Sequence, residues 1–217
     1  MKKDLSEIVF ILDRSGSMSG LEADTIGGYN ALLAKQRGEP GEARLSTVLF
    51  NHDTEVLHDR VDIRAVAPLT DRDYRVGGST ALLDAIGGAI DHIGRIHKHA
   101  RPEDRPAHTL IVIATDGMEN ASHRYSGREI KKMIERQRDK YGWEFLFLGA
   151  NVDAFADAER LGIDRDHATN YHADSVGVQA CYCAIAESVS EVRSGRRLDK
   201  SWKREVEGDF ERRKPRR

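Results

Sequence analysis

Short apolar runs that alternate with longer segments of helical period restrict this chain more than any other feature. The runs are Ile8–Leu12, Leu45–Phe50, Leu110–Ala114 and Phe145–Leu148. A strand with one wet face alternates apolar and polar residues, whereas a nearly continuous apolar strand is buried on both faces. Between the runs, Leu82, Ile86, Ile90, Ile93 and Ile96 recur at three- and four-residue steps, as do Val178, Cys181, Ile185, Val189 and Val192. That spacing marks the buried face of a helix. Segments 21–36, 127–140 and 153–161 are further helix candidates. A shorter strand is expected near 54–58, paired with 45–50 through the Asn51–Asp53 turn, and a weaker last one at 168–172. Strands alternating with helices predict an α/β fold, a doubly wound and mostly parallel sheet with helices on both faces. In such sheets ligands bind beyond the carboxyl ends of the strands, which directs attention to the residues just after each run.

At 217 residues, with no internal repeat or low-complexity linker, the chain reads as one domain with a real core. Its longest apolar runs are far too short to span a bilayer. At the N-terminus, Asp4, Ser6 and Glu7 interrupt the apolar stretch and no small-residue cleavage site follows, so the segment reads as a first strand and the expected location is cytoplasmic. Cys181 and Cys183 are the only cysteines. Two positions apart on a helix, they form neither a disulfide framework nor a good metal pair. The net charge of -2 conceals an asymmetry: Arg193–Arg217 holds eleven Lys/Arg against five Asp/Glu, a net of +6, leaving -8 for the rest.

The strand ends carry the chemistry. Asp13-Arg14-Ser15-Gly16-Ser17-Met18 follows the first run, and Thr115-Asp116-Gly117 follows the run at 110–114. Both place a carboxylate on one rim of the sheet. A third loop, Gly77-Gly78-Ser79-Thr80, opens the helix beginning near Leu82, where Thr80 has helix capping as its alternative role. A hard dication such as Mg²⁺ seeks about six oxygen ligands and keeps some waters. Hydroxyls supply oxygen without charge, and two carboxylates balance one dication. No Cys or His in these loops points to zinc.

Each fragment alone is an ordinary turn; their conjunction is specific. Asp13, Ser15 and Ser17 in an Asp-x-Ser-x-Ser pattern, then Thr80, then Asp116, resemble the metal-ion-dependent adhesion site of von Willebrand factor A domains, and all five positions match. Gly16, the Gly-Gly-Ser-Thr-Ala-Leu of 77–82 and Asn120 match the surroundings as well, over roughly residues 5–194. The resemblance implies a Rossmann-like six-stranded sheet of order 3-2-1-4-5-6 with one short antiparallel edge strand, in a stand-alone intracellular bacterial-type member. It also implies one divalent ion (Mg²⁺, or Mn²⁺ or Ca²⁺) held by the five residues, with an acidic side chain of a protein partner completing its shell.

Enzyme motifs are missing. The Asp-x-Asp of haloacid-dehalogenase-type phosphatases has Ser15 at its second position, so the proton donor is lacking. No P-loop, no Gly-x-Gly-x-x-Gly and no nucleophile elbow occurs. The expected function is therefore a metal-dependent protein-binding module, not an enzyme. A metal-assisted phosphoesterase or hydrolase using the same site is the alternative. Arg14 reads as a local ion-pair former, with a partner carboxylate as its alternative, Met18 as either rim contact or core, and His97, His99 and His123 as surface histidines, with His123 near the site rim. Residues 1–194 form the domain, and 195–217 a basic amphipathic tail. Its Leu198, Trp202, Val206 and Phe210 share one helix face expected to pack on the domain, with a frayed end. Neither nucleic acid nor membrane is expected as a partner, and the oligomeric state is left open.

Overall fold

The computed structural model of the protein describes residues 1–150 and 153–214. The described residues form a six-stranded sheet of order β3-β2-β1-β4-β5-β6. In chain order the elements are β1 (Lys2–Asp13), α1 (Glu22–Gly38), β2 (Glu42–Phe50), β3 (Thr54–Asp62) and α2 (Leu82–His99). There follow β4 (Pro106–Thr115), α3 (Gly127–Tyr141), β5 (Glu144–Ala150), α4 (Ala154–Arg160), β6 (Ala168–Tyr171), α5 (Ser175–Arg193) and α6 (Arg204–Arg212). All pairings are parallel except β2 with β3, the antiparallel edge hairpin.

β1 shows why its run is apolar throughout. Ile8, Phe10 and Leu12 face the side covered by α1 and α5, while Val9 and Ile11 face the side covered by α2 and α3. Every residue from Ile8 to Leu12 is at most 1% exposed. Burying each such side chain contributes about 1.5–3 kcal/mol, so both helical layers are held to the sheet chiefly by apolar contact. β3 is longer than the 54–58 expected and mostly half-exposed, as suits an edge.

Local chemistry fixes the helix ends. α3 opens with a capping box, in which Ser126 and Glu129 satisfy each other's backbone N–H, and closes on Gly142 at φ 68°. Asp174 caps α5 by accepting from Gly177 N at 2.9 Å. Cys181 is buried and Cys183 exposed, as their two-residue spacing on α5 requires.

Beyond α5, Trp202 Nε1 donates to the Asp166 carbonyl at 2.8 Å, and the buried Lys203 Nζ donates to the carbonyls of Arg165 and Ala168 at 2.7 and 2.9 Å. Leu198, Trp202 and Val206 join the core on the α5 side of the sheet. Phe210 instead stacks on His172 with ring centroids 4.6 Å apart. The end expected to fray is 211–217; instead α6 runs to Arg212 and Arg213 pairs with Asp174 and Asp209, while 215–217 lie outside the described residues. No helix among the described residues is long and apolar enough to cross a membrane.

Candidate metal centre

The three loops that follow the strands meet at the carboxyl ends of β1 and β4, stitched together by backbone. Gly16 N donates to the Gly78 carbonyl at 3.0 Å and Gly77 N to the Arg14 carbonyl at 2.9 Å, joining the first loop to the Gly-Gly loop. Gly78 adopts φ 80°, open to glycine at little cost. The third loop grips Thr80 from both sides: Thr80 N donates to Asn120 Oδ1 at 2.8 Å, and Asn120 N donates back to the Thr80 carbonyl at 3.0 Å. Thr80 does not cap α2. The residue at that cap is Ala81, without a side-chain cap bond, while Glu119 accepts from Leu83 N and Ser122 from Asp84 N. The Thr80 hydroxyl is thereby left free.

All five residues named from the sequence converge. Asp13, Ser15, Thr80 and Asp116 are at most 3% exposed, and Ser17 is the exposed member, so the site opens on its side. Ser15 Oγ lies 3.0 Å from Ser17 Oγ, and the Ser17 hydroxyl donates to Asp116 Oδ1. A Cβ placed on Gly117 would lie 2.9 Å from both Ser17 Oγ and Thr80 Oγ1 and 3.4 Å from Ser15 Oγ. The three hydroxyls thus surround one point, and any side chain at Gly117 would fill it.

The two carboxylates differ in how they are held. Asp13 Oδ1 accepts from Ser15 N at 2.7 Å and Oδ2 from Thr115 Oγ1 at 2.6 Å, while its carbonyl accepts from the Tyr74 hydroxyl. Burial pushes its carboxyl above the ordinary range, against these hydrogen bonds. Asp116 Oδ2 is buried without a hydrogen-bond partner. Burial, reinforced by the Asp13 charge and opposed by the Ser17 hydroxyl, pushes Asp116 up to about 6. A buried unpaired carboxylate oxygen is costly, and a cation beside it would remove the cost.

The donor set fits a hard dication on three counts: the orphaned Asp116 oxygen, the converging hydroxyls, and oxygen ligation throughout. Among the described residues no cluster of three or more His, Cys, Asp or Glu has metal-holding geometry. A centre here is visible only when serine and threonine are counted as ligands.

Neighbouring residues settle as follows. Arg14 pairs locally with Glu55 at 2.7 Å, and Met18 is buried. Met118, beside Gly117, is instead the apolar residue exposed at this rim, at 71%. His123 is exposed and contributes its backbone N–H to Asp84. His97 departs from the surface reading: its Nε2 lies 3.1 Å from the fully buried Glu7. Sequence reasoning did not find Tyr74 or the supporting role of Thr115, and only the Thr-Asp-Gly pattern hinted at the latter.

Known proteins agree with the fold. Among solved structures, the chain is similar to proximal thread matrix protein 1 from the mussel byssus with a zinc-occupied MIDAS motif (12% identity, 87% of this chain and 49% of that one, TM-score 0.60). It is also similar to the manganese-loaded TRAP protein of Plasmodium vivax (15% identity, 81% and 72%, TM-score 0.59) and to a von Willebrand factor type A protein from Catenulispora acidiphila (15% identity, 87% and 43%, TM-score 0.57). The chain spans about half the length of the mussel protein. No curated protein matches the sequence. The family model described as von Willebrand factor type A domain matches residues 7–180, and the chain belongs to that family.

Proposed function

We propose that the protein is a divalent-metal-dependent binding module. Asp13, Ser15, Ser17, Thr80 and Asp116 hold one Mg²⁺, or Mn²⁺ or Ca²⁺, and a Glu or Asp of a protein partner completes the site. The observation that carries this reading is the convergence of three hydroxyls on one point beside the orphaned oxygen of Asp116. The zinc-occupied and manganese-loaded sites of the two structural neighbours are consistent with a dication here.

When bound, the ion supplies positive charge and a coordination position for one more hard oxygen ligand. The protein's own contribution is to orient and to set charge. Ser15 N and Thr115 Oγ1 hold Asp13 in one orientation, and Asn120 holds Thr80. Two carboxylates balance the dication and the hydroxyls add no charge, so the ion keeps a coordination position that favours one more hard oxygen ligand. A partner carboxylate is therefore preferred over an amide. Ser17 and Met118 mark the exposed approach.

The test is affinity capture with wild type and Asp13→Ala, in Mg²⁺ and in chelator, followed by single substitution of acidic residues in whatever partner is captured. Binding that vanishes with chelator, with Asp13→Ala and with one acidic substitution supports the reading. Binding indifferent to all three overturns the metal bridge. Turnover of a generic phosphoester that requires Asp13 would favour a metal-assisted hydrolase.

A further inference from the structure

At the opposite end of the sheet from the metal centre lies a second cavity of about 470 Å³, between the last turns of α2 and α3 and the start of β4. Its size is within the range of small-molecule sites. Arg95 and Lys98 from α2, Arg105 from the approach to β4, and Arg136 and Lys140 from α3 line it, with Trp143 at 4% exposure as apolar floor. Asp91 is the one acidic residue of the lining, and its Oδ2 accepts from the Tyr125 hydroxyl at 2.7 Å. Among the described residues none of the five cations forms an ion pair.

Helix C-termini attract cations, which would explain a Lys or Arg in the last turn of α2 or α3 singly. Magnitude decides against that as the whole account. Two helix ends amount to about one negative charge together. With Asp91 they offset about two of the five positive charges, leaving a net of about three in one concavity. Arg105, moreover, belongs to neither helix. Its Nε donates to the Ala100 carbonyl at 3.1 Å and one η nitrogen to the Lys98 carbonyl at 3.2 Å, which holds the guanidinium in place at the cavity wall.

We propose that this cavity binds an oligophosphate group, carried either by a free oligophosphate or by a nucleotide. Five cations lining one cavity match a phosphate chain better than a single carboxylate, and the three arginines suit paired phosphate oxygens. The exposed Tyr141 at the same cavity provides aromatic surface for an attached base.

The test is calorimetric titration of the full chain with tripolyphosphate, ATP and adenosine. It is done at low salt in EDTA, so that no metal-held phosphate at the other end contributes. One site for both tripolyphosphate and ATP, with no binding of adenosine, is expected. Equal affinities would assign the phosphate chain alone, and tighter ATP binding would assign a nucleotide. The pair Arg136→Ala with Lys140→Ala should weaken both at least tenfold. The pair Lys131→Ala with Lys132→Ala, exposed on the same helix but outside the cavity, should not, and nor should Asp13→Ala. Melting temperatures of each variant control for folding. The proposal is overturned if neither anion binds at millimolar concentration, if both lysine-containing pairs weaken binding equally, or if Asp13→Ala abolishes it.

Discussion

Glu7 and Asp13 are on the same strand, both with exposure of 1% or less, and have opposite surroundings. Glu7 meets Arg60 through Nε at 2.9 and 3.1 Å and through an η nitrogen at 2.8 Å, and His97 at 3.1 Å. Its charge is answered from within the protein. Asp13 faces a second carboxylate, Asp116, and among the described residues the groups offered to the pair are hydroxyls and backbone N–H, with one oxygen left unpartnered. A buried carboxylate whose donors are complete is part of the structure; one whose donors fall short carries a cost that a cation would remove.

Removing the answered charge should have the largest effect on folding. Glu7→Ala leaves Arg60 and His97 without their partner, and breaking a buried pair costs about 3–5 kcal/mol. The lower end is expected, because the Arg60 side chain remains 25% exposed. Urea denaturation measures this, while Mg²⁺ affinity in the folded variant should be unchanged. A loss under about 1 kcal/mol would mean that Glu7 is not the structural member of the comparison.

Thr115→Val should act the other way round. It removes the hydroxyl that orients Asp13 Oδ2. Folding should lose about 1 kcal/mol, the worth of an ordinary hydrogen bond, and metal affinity about 10- to 100-fold, as for other residues that orient ligands. Unchanged metal affinity would show that Asp13 needs no such support.

A further effect is expected from pH. Asp116 titrates near 6 when folded against an ordinary value of 3.8, so between these the folded chain holds a proton that the unfolded chain has lost. Stability of the metal-free protein therefore falls as pH rises from about 4 to about 6. Asp116→Asn should make that fall shallower, the raised Asp13 carboxyl accounting for the rest, and Glu7→Gln should not. A metal-free profile that rises across this window in the wild type, and in Asp116→Asn alike, would show that Asp116 is not held protonated.

The amino-acid pattern made one side of the comparison legible and hid the other. The metal residues directly follow apolar runs, and strand ends in an α/β sheet are where ligands bind, so the residue order alone places Asp13 and Asp116 on one rim. The sheet was legible because β1, β4 and β5 are buried on both faces. Glu7 read only as an interruption of an apolar stretch, since its partners lie 53 and 90 residues away on β3 and α2. No local period encodes pairing over such distances, and His97 read as a surface residue for the same reason. Tyr74 was hidden likewise. It lies in the irregular segment between β3 and α2, where Ile63, Val66 and Leu69 are also buried although no helix or strand forms there.

The central claim, that the unanswered carboxylate pair holds a metal ion, is tested most directly by calorimetric titration of Mg²⁺ and Mn²⁺ into wild type and Asp116→Ala, with melting in EDTA as the folding control. The predicted result is one ion per wild-type chain, no binding by the variant, and melting of the metal-free variant no lower than that of wild type, since a buried unpaired oxygen is gone. No binding by wild type, or an unchanged isotherm in the variant, would contradict it.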